Sequence, residues 1–502
     1  MKQPSPPSPT LRTKEPAAVA DRVIRALALL AAVSALIGFC LAVFQAPSIP
    51  ENDHRLAPTF ALAHGYRLYY GPQQGPVLST IYGPVTALTY APSLLASTPM
   101  AAVRLATIIT IILFFLPMFL VAGKGEAGNG WQRYVYVLGL AAALTSFSTS
   151  LIMSSTLVHA DSPALAAGGL ACWFSAARGS RPGWGRALLA GVLTVVAVMA
   201  KQNMVPLAFA LALWWLFVSW KGALAFVAGG AASLLTIWTG ILAVSTNLEA
   251  AWFNWFQIPT HQPYDKALLF SVIDTLDRSL LLYLLPIAAL LWRYMREPDS
   301  STWKARLRPL SILLLWVGCW LVPTSVLGRI KAGGAENALS PAVYFFALAC
   351  MLELSAHLFG SPAGSRPRFA FMALVLLLGT YAAVKLPENI YSVLKASGRS
   401  SMEEVYNFSR SHPGQIYFPQ FPLTILMAEG HLYDFSWGLS DRRAAGHPVS
   451  DAQFRKDTPP STNRMALVPW VPYWEKDIYS RCTAAPETQE PGLPGFTICQ
   501  FR

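Results

Sequence analysis

Charge is what this sequence has least of. Charged residues fill 13% of its 502 positions, about half the share usual in soluble globular domains, which excludes an ordinary soluble fold. Acids are the scarcer sign, with 26 Asp and Glu against 38 Lys and Arg. Cysteine is rare too: the six cysteines show no CxxC spacing, so no zinc framework of that kind can be read from them. No internal repeat of the sort carried by inverted-repeat transporters is visible, and an odd number of crossings argues in the same direction.

Apolar sequence fills the gap. Hydrophobic residues make up 54% of the chain and the mean hydropathy is +0.41. Runs long enough to cross a bilayer core of ~30 Å recur along its length. Spans are expected at about 23–46, 102–122, 134–155, 162–178, 186–200, 203–219, 223–245, 279–295, 309–327, 338–358 and 369–386. The formal charge of +12 does not point to nucleic acid, because the basic residues sit in short loops between apolar runs. Lys124, Arg133, Arg178, Arg181, Arg186, Lys221, Arg293, Arg296, Lys304, Arg306, Arg308, Arg366 and Arg368 all fall on the side shared with the N-terminus. The positive-inside rule then places that terminus in the cytoplasm.

The expected organisation is a disordered cytoplasmic tail (1–22), a transmembrane domain (23–386) with a long external loop (47–101), and a small α/β extracytoplasmic domain (387–502). The first apolar run exceeds a secretory h-region, so it reads as a retained anchor. Ile81–Ala96 is interrupted by Pro84 and Pro92 and reads as an interfacial helix, with Tyr82 and Tyr90 at headgroup level. In the tail, "GQIYFP", "RMALVPWVPYW" and "GFTICQFR" read as strands. Its aromatics Tyr433, Phe435, Trp437, Trp470, Tyr473 and Trp474 suit either a core or sugar stacking. Cys482 and Cys499, 17 apart, are disulfide candidates in an oxidising compartment. Short interhelical loops and the lack of a eukaryotic targeting signal favour a bacterial inner membrane.

The polar residues of this apolar chain gather on the outer side. They are Asp53, His54 and His64 in the first loop, then His159 and Asp161, Lys201 and Gln202, His261, Tyr264 and Asp265, and Arg329 and Lys331. Charges at a membrane boundary are costly unless hydrated or paired, so their gathering implies a cavity. Plainer roles compete with that reading. Asp161 before Ser162-Pro163 has the pattern of a helix cap, Lys201 can snorkel from a helix end, and Gly333-Gly334 can be a simple turn. A divalent metal is compatible with Asp53, His54, His159, Asp161 and His261, although their spacing is not diagnostic.

The succession of features resembles the GT-C superfamily of membrane glycosyltransferases, in the style of protein O-mannosyltransferases and lipid A aminoarabinose transferases. It runs from an acid in "ENDHRLAPTFALAHGYRLY" to "YGPVTALTYAP", "HADSPALA", "AKQNMVPLAFAL" and an outer domain. Asp53-His54 stands where the family often has Asp-Glu, and no Lys precedes the juxtamembrane Pro. The resemblance implies an enzyme that moves a sugar from a polyprenyl-phosphate donor to a hydroxyl of a lipid, glycan or protein acceptor. It implies Asp53 as general base and Asp161, with His159, as an orienting or acceptor-binding group. Lys201, Arg329 and Lys331 would face the phosphate, and His54, Tyr82, Gln202 and His261 would line the substrate site. The competing reading is a transporter or flippase, with the acids and Lys201 as coupling sites.

Overall fold

The computed structural model describes residues 14–78, 81–123, 131–176, 183–296, 309–360, 366–396, 401–468, 476–482 and 493–501. Ten helices occupy the first half: α1 (Lys14–Gln45), α2 (Glu51–Ala63), α3 (Pro84–Thr89), α4 (Pro99–Ala122), α5 (Trp131–Ser146), α6 (Thr149–Thr156), α7 (Asp161–Ser175), α8 (Trp184–Ala200), α9 (Val205–Val218) and α10 (Trp220–Val244). After them, α11 (Leu248–Trp252) passes through a π turn, Phe253–Gln257, into α12 (Ile258–His261). Then come α13 (Leu268–Arg278), α14 (Leu280–Arg296), α15 (Pro309–Arg329), α16 (Ser340–Gly360) and α17 (Arg366–Ala396). Among the described residues, five short helices close the chain with two strands, β1 (Arg464–Leu467) and β2 (Thr497–Gln500).

This is an integral membrane protein. Five helices among the described residues are long and apolar enough to cross a bilayer, and a bent pair makes a sixth. The other expected spans are helical: 162–178, 186–200, 203–219 and 279–295 fall in helices of 14 to 17 residues, and 369–386 lies within the 31-residue α17. One expectation changes in kind: the run 134–155 is not one straight helix, because α5 and α6 meet at 116°. The cause is local. Thr145 Oγ1 and Ser146 Oγ donate back to the carbonyls of Ala141 and Ala142, both at 2.8 Å. Such back-bonding ends the helix in a hydroxyl-rich stretch, where Ser148 lets the chain turn. The tail expected to be disordered over 1–22 is helical from Lys14 in its Ala-rich segment, and its first 13 residues lie outside the described residues.

Small residues let the bundle close. A Cβ on Gly191 of α8 would stand 2.0 Å from the Phe226 carbonyl of α10, and one on Gly229 would stand 2.1 Å from that of Leu188. With lipid outside, close backbone approach of this type holds helices together. Neither backbone can give way to a side chain, so Gly191→Val is expected to cost about 1–3 kcal/mol or more. Faster protease cleavage of the variant in membranes would show it; cleavage at the wild-type rate would show that α8 and α10 can part without loss.

The first connection folds back onto the end of the chain. Leu56, Phe60 and Val103 share a core with Phe418, Leu423, Phe435 and Ile498. The segment expected at the interface exposes Leu88 and Leu95, but one of its two tyrosines is internal. Tyr90 is fully buried, donates to the His159 carbonyl at 2.8 Å and shares a hydrogen bond with Thr110. The strand expected at "GQIYFP" is only a bridge from Tyr417 to Met465, because Pro419 has no N–H to extend a ladder. β1 and β2 pair antiparallel, with Arg464 opposite Gln500, and Cys482 and Cys499 are bonded as a disulfide. Lys124, Arg178, Arg181, Lys304, Arg306, Arg308, Trp470, Tyr473 and Trp474 lie outside the described residues.

Candidate active site

A cavity of about 1210 Å3 opens where α7 and α16 begin and α8 and α15 end, so it sits at one end of the bundle. Part of one wall comes from α2. Glu51, His54, Arg55 and Pro58 line the cavity at i, i+3, i+4 and i+7, which is one face of a helix. The opposite face, with Asp53, Leu56 and Phe60, is buried away from it.

Asp53 therefore does not line the cavity. Its carboxylate accepts from the Leu423 N–H at 2.8 Å, the Thr424 N–H at 3.0 Å and the Thr424 hydroxyl at 2.5 Å. It caps, from 370 residues away, the helix Pro422–Glu429, whose own preceding residue Phe421 offers no side-chain acceptor. The Asp53 oxygens are thus turned to the start of this helix and away from the cavity. Burial pushes its carboxyl up to about 7, against the pull of those three donors. A raised pKa means that the folded state holds the proton more tightly than the unfolded one. This contribution to stability is full below about pH 4 and lost as pH rises through about 7. The unfolding midpoint of the wild type should decline over that window more steeply than that of Asp53→Asn; parallel curves would contradict it.

Asp161 is the centre of a second buried set. It is not a side-chain cap, since Ala160 is the capping residue of α7. Its Oδ1 takes the Lys201 ammonium and a 3.3 Å hydrogen bond from Ser340; its Oδ2 takes the Asn337 amide at 2.6 Å and His159 Nδ1 at 2.5 Å. With Nδ1 donating to the carboxylate, His159 Nε2 is left to accept from the Tyr82 hydroxyl at 3.0 Å. Lys201 is thus held by Asp161 and does not snorkel. Gly83, beside Tyr82, leaves room for this approach: a Cβ there would stand 1.8 Å from the Met199 carbonyl at the end of α8.

The remaining expected residues divide. Gln202 lines the cavity and donates to the carbonyls of Ile81 and Trp255. Arg329 donates to the Gly334 carbonyl at 2.6 Å, while its buried Nε has no partner among the described residues. Lys331 lines the cavity too, donating to the Pro259 carbonyl at 2.5 Å and standing 5.8 Å from the Tyr264 ring centre. His261 does not join them: it is exposed, bonded at 2.8 Å to the Gln257 carbonyl of its own helical turn. The convergence of Asp53, His54, His159, Asp161 and His261 considered for a metal does not occur, and no group of three ligating side chains is found among the described residues.

Trp437, one of the aromatics expected to suit sugar stacking, lines the cavity, and several other lining residues were not singled out from the sequence: Glu51, Arg55, Trp255, Glu336, Asn337 and Asp441. Glu51 has no hydrogen bond or ion pair among the described residues. Arg55 Nε, Trp255 Nε1 and Glu336 Oε2 are buried atoms without partners among them. His54 donates Nε2–H to the Gln420 carbonyl at 2.5 Å, and burial lowers its pKa to about 3, so the ring is neutral.

A bundle of membrane helices with its first connection packed on the chain's last segment, over a polar cavity at one end, is a fold that solved membrane enzymes share. In particular, the chain is similar to two crystal structures of ArnT from Cupriavidus metallidurans, one bound to undecaprenyl phosphate and one in the apo state. Identity is 12% and 13%, coverage 93% and 92% of this chain and 97% and 96% of those chains, and the TM-score 0.53 for both. At this identity the likeness is one of fold. No family model matches the chain, and no curated protein does.

Proposed function

We propose that the protein is a glycosyltransferase that moves a sugar from a polyprenyl-phosphate donor to an acceptor hydroxyl. We place the reaction on the extracytoplasmic face of a bacterial inner membrane. The observation that carries this is a cavity at the bundle end that presents a carboxylate, Glu51, with no hydrogen bond or ion pair among the described residues, together with cationic groups, Arg55, Arg329 and Lys331. The undecaprenyl phosphate held by the similar ArnT structure supports a lipid phosphate as the ligand. The Cys482–Cys499 disulfide supports an oxidising compartment for the C-terminal segment.

In this reading Glu51 takes the proton of the acceptor hydroxyl as its oxygen bonds to the anomeric carbon. The bond from that carbon to the phosphate oxygen breaks, and the electron pair leaves with polyprenyl phosphate. Negative charge then grows on the phosphate, where the Arg329 guanidinium, with an unfilled N–H, can offset it. Lys331 and Arg55 add positive charge. Asp161 acts as a positioning residue: it fixes Lys201, Asn337 and His159, and His159 in turn holds Tyr82 at the wall. Asp53 positions α2 by anchoring its outer face, so that Glu51 and His54 point inward.

The test is transfer of label from a polyprenyl-phosphate hexose or pentose pool in membranes containing the wild type or Arg329→Gln. Labelled product with the wild type, reduced ten-fold or more in the variant at equal protein level, is the expected result. Absence of product with every donor, together with no retention of undecaprenyl phosphate by the purified protein, would reject this function.

A further inference from the structure

The cavity is not uniform in what it asks of a ligand. Arg329, Lys331 and Arg55 offer only N–H donors, which suits a phosphate. The wall formed by α2 and the helix Ser436–Ala444 offers something else. His54 is 4% exposed, and its Nε2 lies 2.5 Å from a carbonyl, which can only accept. That nitrogen must carry the proton, so Nδ1 is a bare lone pair, and it has no partner among the described residues. An orphaned buried acceptor costs roughly 1–3 kcal/mol until a donor reaches it. Beside it stands the Trp437 indole, 4.7 Å between ring centres and nearly perpendicular. One turn further along the same helix is Asp441, also at the cavity wall and held at 2.9 Å by the Gln262 amide. An ionised carboxylate accepts only.

We propose that the Trp437–His54–Asp441 wall is a saccharide subsite, which binds a hydroxyl-rich sugar ring stacked on Trp437 with its O–H groups donating to His54 Nδ1 and Asp441. A flat apolar face flanked by two acceptors matches a pyranose, whose ring C–H groups are apolar and whose hydroxyls donate. It does not match a phosphate dianion, which brings further acceptors to groups that cannot donate. The Arg55 guanidinium, 5.3 Å from the Trp437 ring centre, fixes the indole and stands between the two kinds of wall. The inference rests on the glycosyl-transfer reading for its place in a reaction, and the ring belongs either to the lipid donor or to a glycan acceptor.

The experiment uses the full-length protein in lipid nanodiscs and saturation-transfer NMR to free methyl hexopyranosides and pentopyranosides, with per-O-methylated glycosides as controls. At least one free glycoside should receive saturation from the wild type, and its permethylated form should not, because methylation removes every donor. Trp437→Ala should weaken the transfer ten-fold or more, and Trp437→Phe, which keeps a flat ring, should retain most of it. Equal transfer to wild type and Trp437→Ala, or none to the wild type, would overturn the subsite. In the labelled-sugar assay Trp437→Ala should raise KM for the lipid donor if the ring is the donor's, and for a glycan acceptor if it is the acceptor's. Neither KM moving would also overturn it. Failure of all sugar transfer, with glycoside binding intact, would instead reject the transferase reading and leave the saccharide subsite standing.

Discussion

Glu51→Gln is expected to lower sugar transfer by about 10²–10⁴-fold, the range by which a positioned general base accelerates proton transfer. The substitution keeps the size of the side chain and removes only the basic oxygen. Glu51 has no partner in the described structure, so the variant should fold and reach the membrane as the wild type does. KM for the lipid donor should change little, because the loss falls on the chemical step. Asp53→Asn is the informative companion. Its carboxylate lies on the outer face of α2, so it should lower stability first and activity through stability. If Asp53→Asn lost transfer at unchanged stability while Glu51→Gln kept it, the assignment of roles along α2 would be reversed.

The second large effect lies in the buried pair. Lys201 and Asp161 are both inside, 6% and 0% exposed. Lys201→Met would leave the Asp161 charge with only neutral partners and should destabilise the protein by about 3–5 kcal/mol, the usual cost of removing one member of a buried pair. Removing both charges should be milder than removing one, since no charge then remains unpaired. Thermal unfolding of Lys201→Met, Asp161→Leu and the double variant forms a cycle that reads this coupling. Additive losses would mean that the pair is not coupled and that Asn337 and Ser340 alone suffice for Asp161.

The sequence made one half of the site legible and hid the other for a physical reason. Sidedness came from loop charges, and that was enough to gather His159, Asp161, Lys201, Arg329 and Lys331 at one end, because helices that begin there alternate with helices that end there. Which residues of "ENDHRLAP" face inward depends instead on helical phase. Taken as a loop, the stretch offers Asp53 as its most conspicuous acid. As a helix, it turns Glu51, His54 and Arg55 one way and Asp53 the other. The partner that decides this, the unsatisfied start of the helix Pro422–Glu429, lies 370 positions on and leaves no trace near Asp53. Glu336 and Asn337 were within reach, next to Lys331 in "RIKAGGAEN", but only the 3₁₀ turn at Glu336–Leu339 aims Asn337 at Asp161. The break between α5 and α6 was likewise written in "TSFSTS", whose hydroxyls compete for helix carbonyls.

The pairing of Asp53 and His54 with residues 420–424 also has a consequence for biosynthesis. At about 5–20 residues per second, the ribosome needs roughly 20–70 seconds after making α2 to supply the backbone that α2 must cap. Until then α2 packs only on near neighbours such as Tyr90 and Val103, and Asp53 and His54 lack the partners that complete its setting. A nascent chain therefore carries α2 without its Asp53 and His54 partners for most of its synthesis. A product cut short before Gln420 stays that way permanently, with two buried-type polar groups exposed as a mark of incompleteness.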